Sequence, residues 1–208
     1  RKIEMLEVKN ATIAVGNTVL LNDLSFIARD GELTCITGSE GVGKTTLLRT
    51  LLGFLPVSKG FVSVEGELLT IYSAHSFRSL MVYLPQEMQA LRHQLVPAEA
   101  PECKADEYAV WNTVLPSVKP VKAPEPLSAE EIFQLAERTL LEEADRQIVV
   151  ADDPSACLSL ELTLRMMQLL MQQASQGKTV LIATRKPRIV AQSHQVIDLD
   201  QLRKWTKE

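Results

Sequence analysis

Cysteine is scarce in this 208-residue chain, and Cys35, Cys103 and Cys157 form an odd set with no CxxC pair. That argues against a disulfide framework or a zinc cluster and fits a reducing cytosol. No apolar run approaches the roughly 18–20 residues that cross a bilayer, and the opening Arg1-Lys2-Ile3-Glu4 lacks the apolar core of a signal peptide, so a soluble chain is expected. Basic excess is also missing: 22 Lys and Arg against 26 Asp and Glu leave a formal net charge of −4. A dedicated nucleic-acid binder would carry a basic footprint, so no nucleic-acid partner is expected. Aromatic residues are few, and residues 1–25 contain none. What the chain does have is 46% hydrophobic against 23% charged residues, enough to bury a core in one domain of ordinary size.

Runs rich in Val, Ile, Leu and Thr read as strands: Val19–Leu21, Leu33–Thr37, Phe61–Val64, Met81–Leu84, Ile148–Ala151, Val180–Ala183 and Val196–Leu199. Helical patterns lie between several of them: Thr45–Leu52 closed by Gly53, Ser128–Ala144, and Glu161–Ser175 followed by Gly177. The alternation predicts an α/β fold with a mostly parallel core sheet. The first third differs, because Ile3–Val8, Val19–Ile27 and Phe61–Val64 are joined by turns at Gly16-Asn17, Asp30-Gly31 and Glu65-Gly66. An antiparallel β flank is expected there. Six of the ten prolines lie at 97, 101, 116, 120, 124 and 126, which leaves only Cys103–Leu115 free to be helical in that stretch. Its Tyr108, Trp111, Val114 and Leu115 share one face, as in a surface helix packed on a core.

The most specific signal is Gly38-Ser39-Glu40-Gly41-Val42-Gly43-Lys44-Thr45-Thr46, a GxxxxGK[ST] motif between a predicted strand and a predicted helix. Glycines let backbone amides turn inward around phosphate oxygens, and Lys44 brings a point charge to the β- and γ-phosphates. Thr45 offers a hydroxyl to Mg²⁺, and the new helix offers its positive end. Such a cradle needs a carboxylate for the metal. Ile148–Ala151 ends in Asp152-Asp153, which places Asp152 to hold Mg²⁺ through water and Asp153 to align an attacking water.

The order of these elements resembles the ATP-binding cassette (ABC) ATPases across essentially the whole chain. The residues that carry the resemblance are Gly38–Thr46, Leu52–Pro56, Lys59–Glu67, Tyr83-Leu84-Pro85-Gln86, Asp152-Asp153-Pro154 and Thr179–Thr184. The resemblance implies a single P-loop domain over residues 1–208 that binds ATP and Mg²⁺, with a short, proline-rich helical subdomain inserted at about 88–143. It implies that Gln86 senses the γ-phosphate and Mg²⁺, and that cassettes pair head to tail over two ATP molecules. A membrane-spanning transporter subunit and a second cassette are the expected partners, with the chain on the cytoplasmic face of a membrane.

Several positions depart from the family's pattern. Where the family stacks an aromatic ring on adenine, this chain has Val15, so ATP is expected to bind about ten-fold or more weakly. The signature Leu-Ser-Gly-Gly-Gln is here Leu127-Ser128-Ala129-Glu130-Glu131, which also reads as a capping box opening a helix with Ile132, Leu135, Ala136 and Leu140 on one face. Two carboxylates there repel a phosphate. The catalytic base is Asp153 rather than Glu. The switch histidine is replaced by Arg185, and the chain's His75, His93 and His194 all lie elsewhere. Arg185 either pairs with a γ-phosphate or is a solvated loop cation beside Lys186 and Arg188. Ser159 stands where an aspartate is expected after Leu158. The leading reading is a slowly hydrolysing cassette whose trans apparatus is degenerate and whose partner is a different cassette. A non-catalytic partner of an intact cassette is the alternative. A P-loop kinase accounts for Gly38–Thr45 and leaves Gln86 and the later order unexplained.

Overall fold

Two hydrophobic patterns in the chain become two sheets in the computed structural model, which describes residues 6–16, 18–88, 91 and 126–204. Strands β1 (Leu6–Val15), β2 (Thr18–Ala28), β4 (Lys59–Val64) and β5 (Glu67–Leu68) pair antiparallel in the order β2-β1-β4-β5. This is the expected flank. Its β4–β5 turn uses Glu65 and Gly66 at φ 52° and 84°, the positive pair that a tight hairpin turn demands. Strands β3 (Leu33–Thr37), β6 (Met81–Leu84), β7 (Ile148–Asp152), β8 (Thr179–Ala183) and β9 (Gln195–Asp198) form a second sheet, order β6-β7-β8-β3-β9, in which every pair is parallel.

The parallel strands are near-continuous apolar runs because both of their faces are covered. Alternate residues go to opposite layers. Ile148, Val150, Leu181 and Ala183 face the antiparallel sheet and helix α1 (Lys44–Leu51), whereas Val149, Ala151, Val180 and Ile182 face helices α3 (Ala129–Glu142) and α4 (Leu160–Ser175). Helix α1 buries Leu47, Leu48 and Leu51. It ends where Gly53, at φ 72°, lets its own N–H reach Thr50 O at 2.9 Å and the Phe54 N–H reach Arg49 O at 2.9 Å. That pair of bonds is a Schellman stop. Helix α4 ends the same way, with Gly177 donating to Ala174 O and Lys178 to Gln173 O.

Three short helices complete the described residues: α2 (Ala74–Ser79), α5 (Pro187–Gln192) and α6 (Leu199–Lys204). The sequence pattern places Leu199 at the end of the last strand. In the structure β9 stops one residue earlier, because Asp198 Oδ1 accepts the Asp200 N–H at 3.0 Å and turns the chain into α6 with Leu199 buried. The expected helix at Cys103–Leu115 lies outside the described residues, as do Cys103 and His93. Cys35 is buried and Cys157 exposed, both as free thiols. Among the described residues no helix is long and apolar enough to cross a membrane.

Candidate functional site

The loop between β3 and α1 carries three glycines at positive φ: Gly38 (142°), Gly41 (73°) and Gly43 (113°). At Gly38 an added Cβ would lie 2.9 Å from Val42 Cγ1, with Val42 itself buried. The loop therefore closes tightly only because Gly38 has no side chain. Gly43 is the N-cap of α1 and makes no side-chain cap, so the first amides of the helix are left for another acceptor. Lys44 Nζ bends back and donates to the carbonyls of Gly38 (2.9 Å) and Ser39 (2.7 Å).

Strand β7 delivers Asp152 to the same place, 3% exposed. Burial pushes the Asp152 carboxyl pKa up; the Thr45 hydroxyl bonded to it pulls the other way, and the neighbouring Asp153 adds to the rise. Burial likewise lowers the Lys44 pKa, aided by Arg185 and opposed by Asp153, Asp200 and Asp152. Both charged groups are thus costly as they stand, which is the condition that an incoming ligand of complementary charge relieves. Asp153 lies one residue beyond the strand at φ 42°, a region where Asp and Asn are tolerated better than most residues. Its N–H donates to Ala183 O at 2.8 Å, and Oδ1 accepts the Thr184 hydroxyl at 3.2 Å.

Glu40, Gly41, Gly43, Lys44, Thr45 and Thr46 line one cavity of about 230 Å³ together with Gln86, Asp152, Asp153, Arg185 and Leu20. Gln86 reaches it from the exposed end of β6. Arg185 spans the mouth, donating to Glu40 Oε2 at 2.9 Å with both side chains largely in solvent. Gly38, Ser39 and Val42 are not in the cavity wall, Val42 being packed in the core, and Val15 stands apart at the β1–β2 hairpin, 51% exposed. A separate cavity of about 260 Å³ beneath Phe54 and Ile71 has no charged side chain in its lining.

Residues 127–131 hold a different arrangement. Ser128 is the N-cap of α3; its Oγ accepts the Glu131 N–H at 3.3 Å, while Glu131 Oε2 accepts the Ser128 N–H at 2.8 Å and the Ser128 hydroxyl at 2.7 Å. This is the capping box that the sequence predicts. Glu130 pairs with Arg165 at 3.4 Å, and Arg165 lies over the Phe133 ring at 4.4 Å. Ser159 has a structural task too, accepting the Leu162 N–H as N-cap of α4.

A family model described as ABC transporter matches residues 21–156. The chain belongs to the ABC transporter family. As a cassette it is 32% identical over 192 residues to an ABC transporter ATP-binding protein of Treponema denticola, covering 85% of this chain and 37% of that protein. It is 26% identical over 205 residues to an uncharacterized ABC transporter ATP-binding protein of Haemophilus influenzae, covering 91% and 78%. Among solved structures, a nucleotide-free ATP-binding cassette from an ABC transporter superposes with a TM-score of 0.69 at 20% identity, over 94% of this chain and 87% of that one. The cassette thus has the P-loop fold of ABC ATPases.

Three contacts of the site leave no trace in the sequence pattern. Thr184 on Asp153, Glu40 on Arg185 and Asp200 on Ser39 join residues 31, 145 and 161 positions apart. No local spacing encodes them.

Proposed function

We propose that this chain is the ATP-binding subunit of an ABC-type transporter or related membrane complex. In this reading it binds MgATP in the Gly38–Thr46 cradle, hydrolyses it slowly, and closes over nucleotide with a different cassette rather than with its own copy. The observation that carries the reading is the convergence of Lys44, Thr45, Gln86 and Asp152 on one cavity of about 230 Å³. Lys44 holds backbone carbonyls that a phosphate can replace, and Glu40–Arg185 stands across the entrance.

The donor set suits Mg²⁺ bound mainly through substrate. Among the described residues no group of three or more His, Cys, Asp and Glu side chains could hold a metal alone. A buried carboxylate beside a hydroxyl, as in Asp152 and Thr45, fits an ion that keeps waters and takes its other ligands from phosphates. Bound there, Mg²⁺ would supply charge neutralisation at the β- and γ-oxygens. Thr45 and Asp152 would hold it, with Gln86 at its edge. Asp153 would orient water, and the Thr184 hydroxyl keeps that carboxylate in place. Arg185 would exchange Glu40 for the γ-phosphate. Without an aromatic ring at Val15, adenine would be held weakly.

Pairing follows from Leu127–Glu131. In a homodimer the Ala129-Glu130-Glu131 turn would face the other chain's phosphates; Arg165 offsets part of the Glu130 charge, and the like charge that remains, at about 4–6 Å, costs on the order of one to a few kcal/mol. The occupied capping box favours a second reading, a non-catalytic partner whose ATP-bound state is structural. Titration with a fluorescent ATP analogue, with and without Mg²⁺, followed by turnover with the cassette that co-purifies from membranes, tests both. Mg²⁺-dependent binding with slow turnover supports the first reading; binding with no turnover above background selects the second; no binding removes both.

A further inference from the structure

The Gly38-Ser39 dipeptide is held from two sides. Lys44 takes its two carbonyls. From the opposite side Asp200, in the first turn of α6, accepts the Ser39 N–H on Oδ2 at 2.6 Å and the Ser39 hydroxyl on Oδ1 at 2.8 Å. Gly38 lies directly beside this contact: a Cβ there would be at ordinary packing distance, 3.5 Å, from both Asp200 Oδ2 and Leu199 Cβ. The helix that presents Asp200 is anchored by buried Leu199 and by Leu202 against the β2 side of the core.

A carboxylate beside a phosphate cradle is electrostatically unfavourable for an anionic ligand. That cost is set against the two bonds by which its oxygens hold the Ser39 N–H and hydroxyl in place. When Lys44 turns toward a triphosphate it loosens its hold on the Gly38 and Ser39 carbonyls, and that dipeptide then depends on its remaining contacts. We infer that Asp200 is a positioning residue of the phosphate cradle, fixing Ser39 so that the loop keeps its receptive shape while Lys44 changes partners. The segment from β9 to α6 is then part of the nucleotide site, and whatever displaces α6 acts on nucleotide affinity. This inference rests on the reading of the cradle as a MgATP site.

The test uses Asp200→Ala and the conservative Asp200→Asn, which keeps one acceptor oxygen. Two quantities are read: MgATP affinity, and amide hydrogen exchange of residues 38–43 in the nucleotide-free protein. Loss of a charge-assisted hydrogen-bond pair should weaken MgATP binding about ten-fold in Asp200→Ala and less in Asp200→Asn. Exchange in the loop should rise in the same order, with the β7 and β8 amides unchanged. If Asp200 is only a nearby negative charge, both variants bind MgATP more tightly, and the inference is overturned. Unchanged loop exchange overturns it as well. Should the unaltered chain fail to bind MgATP while loop exchange still rises in Asp200→Ala, the functional reading falls and the positioning of Ser39 by Asp200 stands.

Discussion

The phosphate loop and the start of α3 are both helix N-termini rich in polar groups, and they treat those groups in opposite ways. At the loop, Gly43 caps nothing and Lys44 rests on backbone carbonyls, with Arg185 on a solvent-exposed Glu40. These are contacts that an anion can replace at small cost. At α3, Ser128 and Glu131 satisfy each other reciprocally, and Glu130 and Glu131 occupy the positive end of the helix. The contrast separates a terminus open to a ligand from one that is complete without it. We propose that the first is a cis nucleotide site and the second a structural helix start in place of a trans one.

The largest effect that would break this contrast is on Lys44. Lys44→Ala should weaken MgATP binding by about a hundred-fold or more, since it removes the cation that would make charge-assisted bonds to the β- and γ-phosphates; equilibrium titration checks it, and unchanged affinity would remove the cradle from the account. Next comes Asp153→Glu. The longer side chain brings the carboxylate roughly 1 Å nearer the attacking water, and turnover with a competent partner should rise by up to about a hundred-fold. The backbone at φ 42° opposes the change, since Glu lacks the tolerance of Asp there, so the variant should also lose about 1 kcal/mol of stability in denaturant titration. If Arg185 limits as well, the gain emerges only with Arg185→His added, because residues acting on one transition state are non-additive. No gain in either variant counts against Asp153 as the base. The smallest effect sharpens the contrast: Ser128→Ala should cost about 1 kcal/mol of folding stability and leave nucleotide-dependent association with the partner cassette unchanged. Lost association at constant stability would mean that Ser128 works on ligand.

Much of this contrast was legible beforehand, for physical reasons that differ by element. Leu33–Thr37 and Met81–Leu84 read correctly to the residue because strands covered on both faces leave short, near-continuous runs of apolar and β-branched residues. The stop at Gly53 and the cap at Ser128 read correctly because helix ends impose local chemistry. Helices α2, α5 and α6 did not, since six residues are too few to show a helical period against neighbouring loops. In the candidate site, the P-loop and Asp152-Asp153 are contiguous motifs and announce themselves. The partner that Arg185 finds in Glu40, and the hold of Asp200 on Ser39, depend on the order β8-β3-β9, which brings distant strand ends together.

Sedimentation of the unaltered chain with MgATP, at concentrations well above its nucleotide affinity, tests the central claim directly. With Ala129, Glu130 and Glu131 facing a second copy's phosphates, the chain should remain mainly monomeric, and replacing Ala129 and Glu130 by Gly together with Glu131→Gln should allow ATP-dependent pairing. A tight homodimer of the unaltered chain, formed only with MgATP and closed over two nucleotides, would contradict the account and return Leu127–Glu131 to the role of a working signature.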